Sequence, residues 1–122
     1  MKISEIKDML AETGLPVTYL QWQEQGVPEL PYICWLMPNS ENFGADNKVY
    51  KEVEVLNIEL YTRQRSFALE ASVEAVLDSH GLFWDKDSSW IDSEAMNETI
   101  YTAEIYVEAE TTSISQEEND GE

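Results

Sequence analysis

The sequence predicts an α+β fold: a mainly antiparallel sheet with two helices packed on one face, a long loop and an extended hairpin arm. Three observations carry this expectation. Two segments, near residues 3–14 and 66–81, place apolar residues at helical spacing and close on a glycine. The segments between and after them are rich in Val, Ile, Tyr and Trp, a strand composition. The resulting order is helix, three strands, helix, then two or three strands.

Ile3, Ile6 and Leu10 fall on one face of the first helix. Gly14 sits where a left-handed cap commonly ends a helix, and Pro16 follows. Residues 17–22 (VTYLQW) read as a strand, and residues 23–31, with Gly26, Pro28 and Pro31, as a loop. Residues 32–37 (YICWLM) are apolar on both parities, as in a strand covered on both faces. Residues 38–48 form a long polar connection, too long for a tight hairpin, with Phe43 isolated in its middle.

Residues 49–62 are the longest strand candidate and would project as an arm. Val53 and Val55 share one parity, but Leu56, Ile58 and Leu60 share the other, so a β-bulge or strong coiling is expected near 55–56. Ser66 is the expected N-cap of the second helix, whose stripe is Leu69, Val73, Val76 and Leu77. Gly81 closes it. A polar turn at 85–89 then separates LFW from Trp90-Ile91, and a last strand runs over 96–107. Tyr101, Ala103, Ile105 and Val107 share one face of it.

With 122 residues the chain has the size of one domain, assigned to 1–107. Residues 108–122 carry six carboxylate side chains and little that is apolar, so they read as a solvated, disordered acidic tail. A hydrophobic content of 43% supports a core without disulfides or metal.

The 25 acidic and 7 basic residues give a net charge of −18, which argues against direct nucleic-acid binding and against anionic membranes. No apolar run reaches the roughly 18 residues of a membrane helix. In MKISEIKDML, Glu5 and Asp8 interrupt what would be the apolar core of a signal peptide, so the expectation is a soluble intracellular protein.

No catalytic constellation emerges, and no cofactor or metal is expected. Asp85, Asp87, Asp92 and Glu94 invite a calcium reading, but Trp90 and Met96 stand where an EF-hand loop needs Gly and Glu. A solvated turn is the simpler account. Lone His80 sits at a helix C-terminus, where it complements the dipole. Cys34, the single cysteine, reads as a buried small hydrophobe. The four tryptophans and six tyrosines serve either a core or an interface. The sheet face carrying Tyr32, Cys34, Trp35 and Leu36 is apolar enough to want a partner.

The opening MKISEIKDMLAETGLPVTYLQW, the stretch LPYICWLMPNSENFGADNKVYKEVEVLNIELYT and the later WIDSE together resemble small prophage tail completion, or tail terminator, proteins of long-tailed phages. The resemblance spans about residues 1–107 and leaves out the acidic tail. It implies a structural role, not an enzymatic one: a hexameric ring that caps the tail tube, ends its growth and presents a surface to the head connector protein. The implied partners are other copies of the chain, the tail tube protein and the head connector. The implied location is the bacterial host cytoplasm during assembly and then the virion tail. Strong negative charge suits a ring through which DNA must slide, because it repels phosphate. Six copies at −18 each would also repel one another, making ring closure salt-dependent. In this reading Tyr32 and Trp35 are candidates for subunit packing, and Asn42 and Phe43 for contact with the tube or a neighbour.

The competing reading is an acidic DNA mimic that inhibits a nuclease or another DNA-binding enzyme. The charge fits it. The apolar strand and long loop do not require it, and carboxylates in a disordered tail do not serve a rigid mimic.

Overall fold

The computed structural model describes residues 1–23, 26–40, 43–45, 48–51 and 53–107. The expected tail at 108–122 lies outside them. In chain order the elements are α1 (Ser4–Ala11), β1 (Val17–Tyr19), β2 (Tyr32–Ser40), β3 (Phe43–Ala45), β4 (Lys48–Lys51), β5 (Val53–Thr62), α2 (Phe67–Ser79), β6 (Trp84–Ile91), a 3-10 turn (Asp92–Glu94) and β7 (Met96–Tyr106). Five strands form one sheet in the order β1-β2-β5-β7-β6, and β3 pairs with β4 in a separate two-stranded sheet. The fold is α+β with a mostly antiparallel sheet, as expected. One pairing is parallel: β1 runs beside β2 with Val17 opposite Ile33.

Both helices pack on one face of the large sheet. Ile6, Met9 and Leu10 of α1 and Val73 and Leu77 of α2 join Ile33, Trp35, Leu56, Ile58, Leu60, Tyr101 and Ile105 in a single core. The register explains how the strands contribute: Ile33 lies opposite Leu60, Trp35 opposite Ile58, and Ile58 opposite Tyr101. Each row therefore places apolar side chains on the helix-covered face, where burial of each stabilises by roughly 1.5–3 kcal/mol.

The ends of α2 form as the sequence requires. Ser66 has an extended backbone, and its Oγ accepts from the Leu69 N–H at 3.2 Å. At the other end Gly81 has φ +75°, its N–H bonds the Asp78 carbonyl, and the Leu82 N–H bonds the Leu77 carbonyl at 3.0 Å. That pair of bonds is a Schellman closure, and the left-handed residue it needs is glycine. Gly14, with φ +83°, plays the same conformational part after α1.

Four expectations need correction. The stretch 49–62 is not one strand, because β4 leaves the main sheet to pair with β3, so that Phe43 faces Lys51 across a small hairpin. The connection 38–48 is therefore largely strand; β2 itself continues through Pro38 to Ser40. The bulge lies on β2 rather than on β5. Between Leu36 and Asn39 the chain advances three residues while β5 advances two, from Asn57 to Val55. Pro38 sits inside that step, and it has no N–H to give to a ladder. The supposed polar turn at 85–89 is strand, since β6 pairs with β7 without a break from Trp84–Ala103 to Ile91–Met96. The reversal comes later, at Asp92–Glu94 and left-handed Ala95.

The two sheet edges differ. β1 contributes three residues to one edge, whereas β6 contributes eight to the other. Along β6, Asp85 and Asp87 lie on the helix-free face and Lys86 on the helix side.

Candidate interaction surface

The helix-free face of the sheet is built from the alternate residues of the same strands. One row runs Tyr32, Tyr61, Glu98 and Ser89; the next runs Cys34, Glu59, Ile100 and Asp87. The segment after β1 folds over the β2 end of this face. Its entry is fixed by Leu20, a non-glycine residue at φ +70° whose N–H bonds the Trp35 carbonyl at 2.7 Å. Trp22 then meets Tyr32 edge-on with ring centres 5.8 Å apart, and Tyr32 leans on Tyr61 at 5.5 Å. Between this segment and the sheet lies an open cleft of about 480 Å³ lined by Trp22, Val27, Tyr32, Cys34, Tyr61 and Met96. Among the described residues the buried Trp22 Nε1 makes no full hydrogen bond, and its interaction with the Cys34 thiol partly opposes the upward effect of burial there.

Burial acts on the titratable groups here. It pushes the Cys34 thiol up to about 11, and the nearby Glu59 and Glu98 charges add to the effect. The same desolvation raises Glu59, against the hydrogen bond from Tyr61, and Glu98 raises it further. Tyr32 is raised by burial first, then by Cys34 and Glu94. Cys34 is 4% exposed, matching the expectation of a buried hydrophobe rather than a reactive thiolate.

Of the residues singled out in sequence, Tyr32 and Trp35 stand on opposite faces of the sheet. Tyr32 is half-buried and belongs to the cleft. Trp35 is 6% exposed and faces the helices, on the opposite side of the sheet from Tyr32 and Cys34. Its ring is thus largely buried within the single chain. Tyr19 covers it edge-on at 4.8 Å and is itself 55% exposed. Phe43 opens β3, where its backbone faces Lys51, and Asn42 lies outside the described residues.

Four of the exposed large apolar residues border two clefts. Leu20 and Val27 line the cleft just described, whereas Tyr19 lies over Trp35 on the helix side. Phe83, 83% exposed, and Tyr106 border a smaller cleft of about 340 Å³ with Asp85, Thr102, Ala103 and Glu104.

The sequence reading missed a polar cluster on the helix-covered face. Glu70 of α2 is 1% exposed. Its carboxylate receives Arg65 Nε at 3.0 Å, Lys86 Nζ at 2.9 Å and the Thr99 hydroxyl at 3.4 Å. Burial alone would raise its pKa; the Arg65 and Lys86 hydrogen bonds outweigh that and lower it. The Tyr101 hydroxyl donates to Glu74 at 2.8 Å, and Lys86 also reaches Glu74 at 2.7 Å. Every charge in the cluster is matched, so it ties α2 to the sheet. His80 is the C-cap of α2, and its ring lies 3.1 Å from Glu12 at the end of α1, a second tie between helices. Among the described residues no three of His, Cys, Asp or Glu converge as metal ligands would. Within the same residues, no helix is long and apolar enough to cross a membrane.

No protein-family model matches the chain. No curated protein matches it either. Among solved structures it is similar to a chain of the virion of a native gene transfer agent particle, with a TM-score of 0.56 and 12% identity. The likeness covers 85% of this chain and 88% of that one. At that identity it speaks for the fold.

Proposed function

We propose that the protein is a structural component of a phage-type virion, and more specifically a tail protein that caps the tail tube and helps join tail to head as a hexameric ring. One observation carries the reading: nearly the whole fold, helices and sheet together, is similar to a chain of a gene transfer agent virion. The sequence resemblance to tail completion proteins points the same way from separate information. The fold is also suited to assembly. It keeps a small β3–β4 hairpin outside the main sheet and shows apolar side chains such as Leu20 and Val27 around an open cleft. In this reading Phe43 of β3 and the neighbouring Asn42 in sequence meet the tube or a neighbouring subunit, Tyr32 packs at a subunit contact, and the protein has no catalytic role.

The test is native mass by light scattering at low and at physiological salt, followed by binding to purified tail tubes. A six-fold mass that grows with salt, or saturable capping of tubes, supports the reading. A monomer at both salts that also ignores tail tubes overturns it. The net charge of −18 favours the DNA-mimic reading as the alternative, and inhibition of a nuclease in the same preparation would select it.

A further inference from the structure

Strand β6 ends the main sheet and leaves one side of its backbone open. Its only strand neighbour is β7, and among the described residues its outward N–H and carbonyl groups have no backbone partner. Proteins commonly protect such an edge by keeping it short, or with a bulge, a proline or a lysine. β6 is eight residues long, contains no proline, and pairs with β7 in unbroken register from Trp84–Ala103 to Ile91–Met96. Its one lysine, Lys86, is turned inward, with Nζ 2.9 Å from Glu70 and 2.7 Å from Glu74. Trp84 Nε1 donates to Asp78 at 2.9 Å, and Ser88 Oγ accepts from Asn97 at 3.0 Å. The strand is thus fastened from the helix side, so an added strand meets a template already in place.

The side chains on the helix-free face decide what can be added. Asp85 and Asp87 are exposed there, beside Thr102 and Ile100 of β7. Over β6 and β7 together the charged side chains are Asp85, Asp87, Glu98, Glu104 and Lys86, and the lysine is already matched by α2. A second copy of β6 would bring the same two aspartates to this face, and like charges on neighbouring strands repel. Residues 108–122 carry six carboxylates and no Lys or Arg, so charge disfavours them as the added strand too. A strand with Lys or Arg at alternate positions reverses the sign, because each cation falls beside one aspartate. Next to Asp85, the exposed Phe83 and Tyr106 border the cleft of about 340 Å³, which can take an apolar side chain of the same strand. At the far end Trp90, 52% exposed, offers a second apolar contact.

We propose that the β6 edge is a docking site for an extended basic segment of another protein, which adds a further strand to the main sheet and sets Lys or Arg side chains beside Asp85 and Asp87. Main-chain bonds to β6 supply the affinity, and the two aspartates select the partner. The site is complete in one chain and asks nothing of a ring.

The experiment uses the full chain and a capped peptide of the length of β6 that alternates lysine with valine. Two control peptides replace lysine by glutamate or methylate the backbone nitrogens; the second keeps every charge and removes the ladder donors. Binding is read by calorimetry and by amide hydrogen exchange. The lysine peptide should bind and slow exchange of alternate β6 amides, those turned away from β7, by at least roughly tenfold. The glutamate and N-methylated peptides should not. Asp85→Asn combined with Asp87→Asn should weaken the lysine peptide by about tenfold, the modest loss expected for two exposed charge pairs. Equal binding of the N-methylated peptide would mean charge attraction alone and would overturn the proposal. So would protection that appears at β1 or over the Trp22 cleft instead of β6, binding that ignores the double variant, or no binding of the lysine peptide. Should the double variant fail to fold, the wild-type exchange pattern with the lysine and N-methylated peptides decides.

Discussion

Glu70 on α2 and Lys86 on β6 meet at 2.9 Å, the carboxylate side chain 2% exposed and the lysine 28%. The edge strand is thereby pinned to the helix that crosses the sheet. A buried carboxylate stripped of its role leaves Arg65, Lys86 and Thr99 with one acceptor fewer. Glu70→Gln should cost about 1–3 kcal/mol at neutral pH, read by urea unfolding. The pKa of Glu70 is lowered, so its stabilisation is present above the ordinary carboxylate range and lost as pH falls through the lowered value. The variant should accordingly show a shallower loss of stability in acid than the wild type.

Trp35 and Phe43 are expected to respond differently to truncation. Trp35→Ala should destabilise the fold by about 3–5 kcal/mol, because the core cannot close over a void of that size. Phe43→Ala should leave thermal unfolding nearly unchanged and reduce capping of tail tubes. A large drop in melting temperature would instead place Phe43 in a core.

Cys34 should be nearly inert while the chain is folded. With the thiol held up at about 11, its thiolate fraction at pH 8 is on the order of 100-fold below that of an ordinary cysteine. Labelling with a thiol reagent should therefore be slower by at least that factor than in urea. The sign is that of a raised acid: the neutral form favours folding, and this contribution disappears as pH climbs from the ordinary thiol range toward 11.

The caps of α2 can be tested one atom group at a time. Ser66→Ala removes the acceptor for the Leu69 N–H and should cost about 1 kcal/mol. Gly81→Ala keeps the Schellman bonds but puts a Cβ at φ +75°, where no neighbour crowds it, so the roughly 1–2 kcal/mol lost is backbone strain. Circular-dichroism melts of both variants give the comparison.

Helix spacing, caps and the long apolar strands were legible in the sequence because each is set by local chemistry. What escaped depended on partners distant along the chain. Residues 85–89 are polar on both faces, which reads as a turn, yet β7 zips to them along the whole ladder and Lys86 finds Glu70 and Glu74. Glu70 could have been found: it lies three residues before Val73 and seven before Leu77, on the buried stripe. The parity switch in β5 was real, with Val53 and Leu56 both buried, but its cause sat across the ladder at Pro38. Of the candidate site, Tyr32 and Cys34 were read as members of an apolar face. The acidic half of that face was invisible, because Glu59 and Glu98 come together only through register.

The unequal borders of the sheet give it a direction. A strand seeking to extend it finds only three residues of ladder at β1, but eight at β6. An incoming chain on the β6 side would have to lie against a row that includes Asp85 and Asp87, and negative side chains there discourage fibre growth at neutral pH. Acidification erases that guard without touching the backbone template. Precipitates formed below the carboxylate range should therefore grow from the β6 side, linear and rich in intermolecular strand, rather than as amorphous clumps.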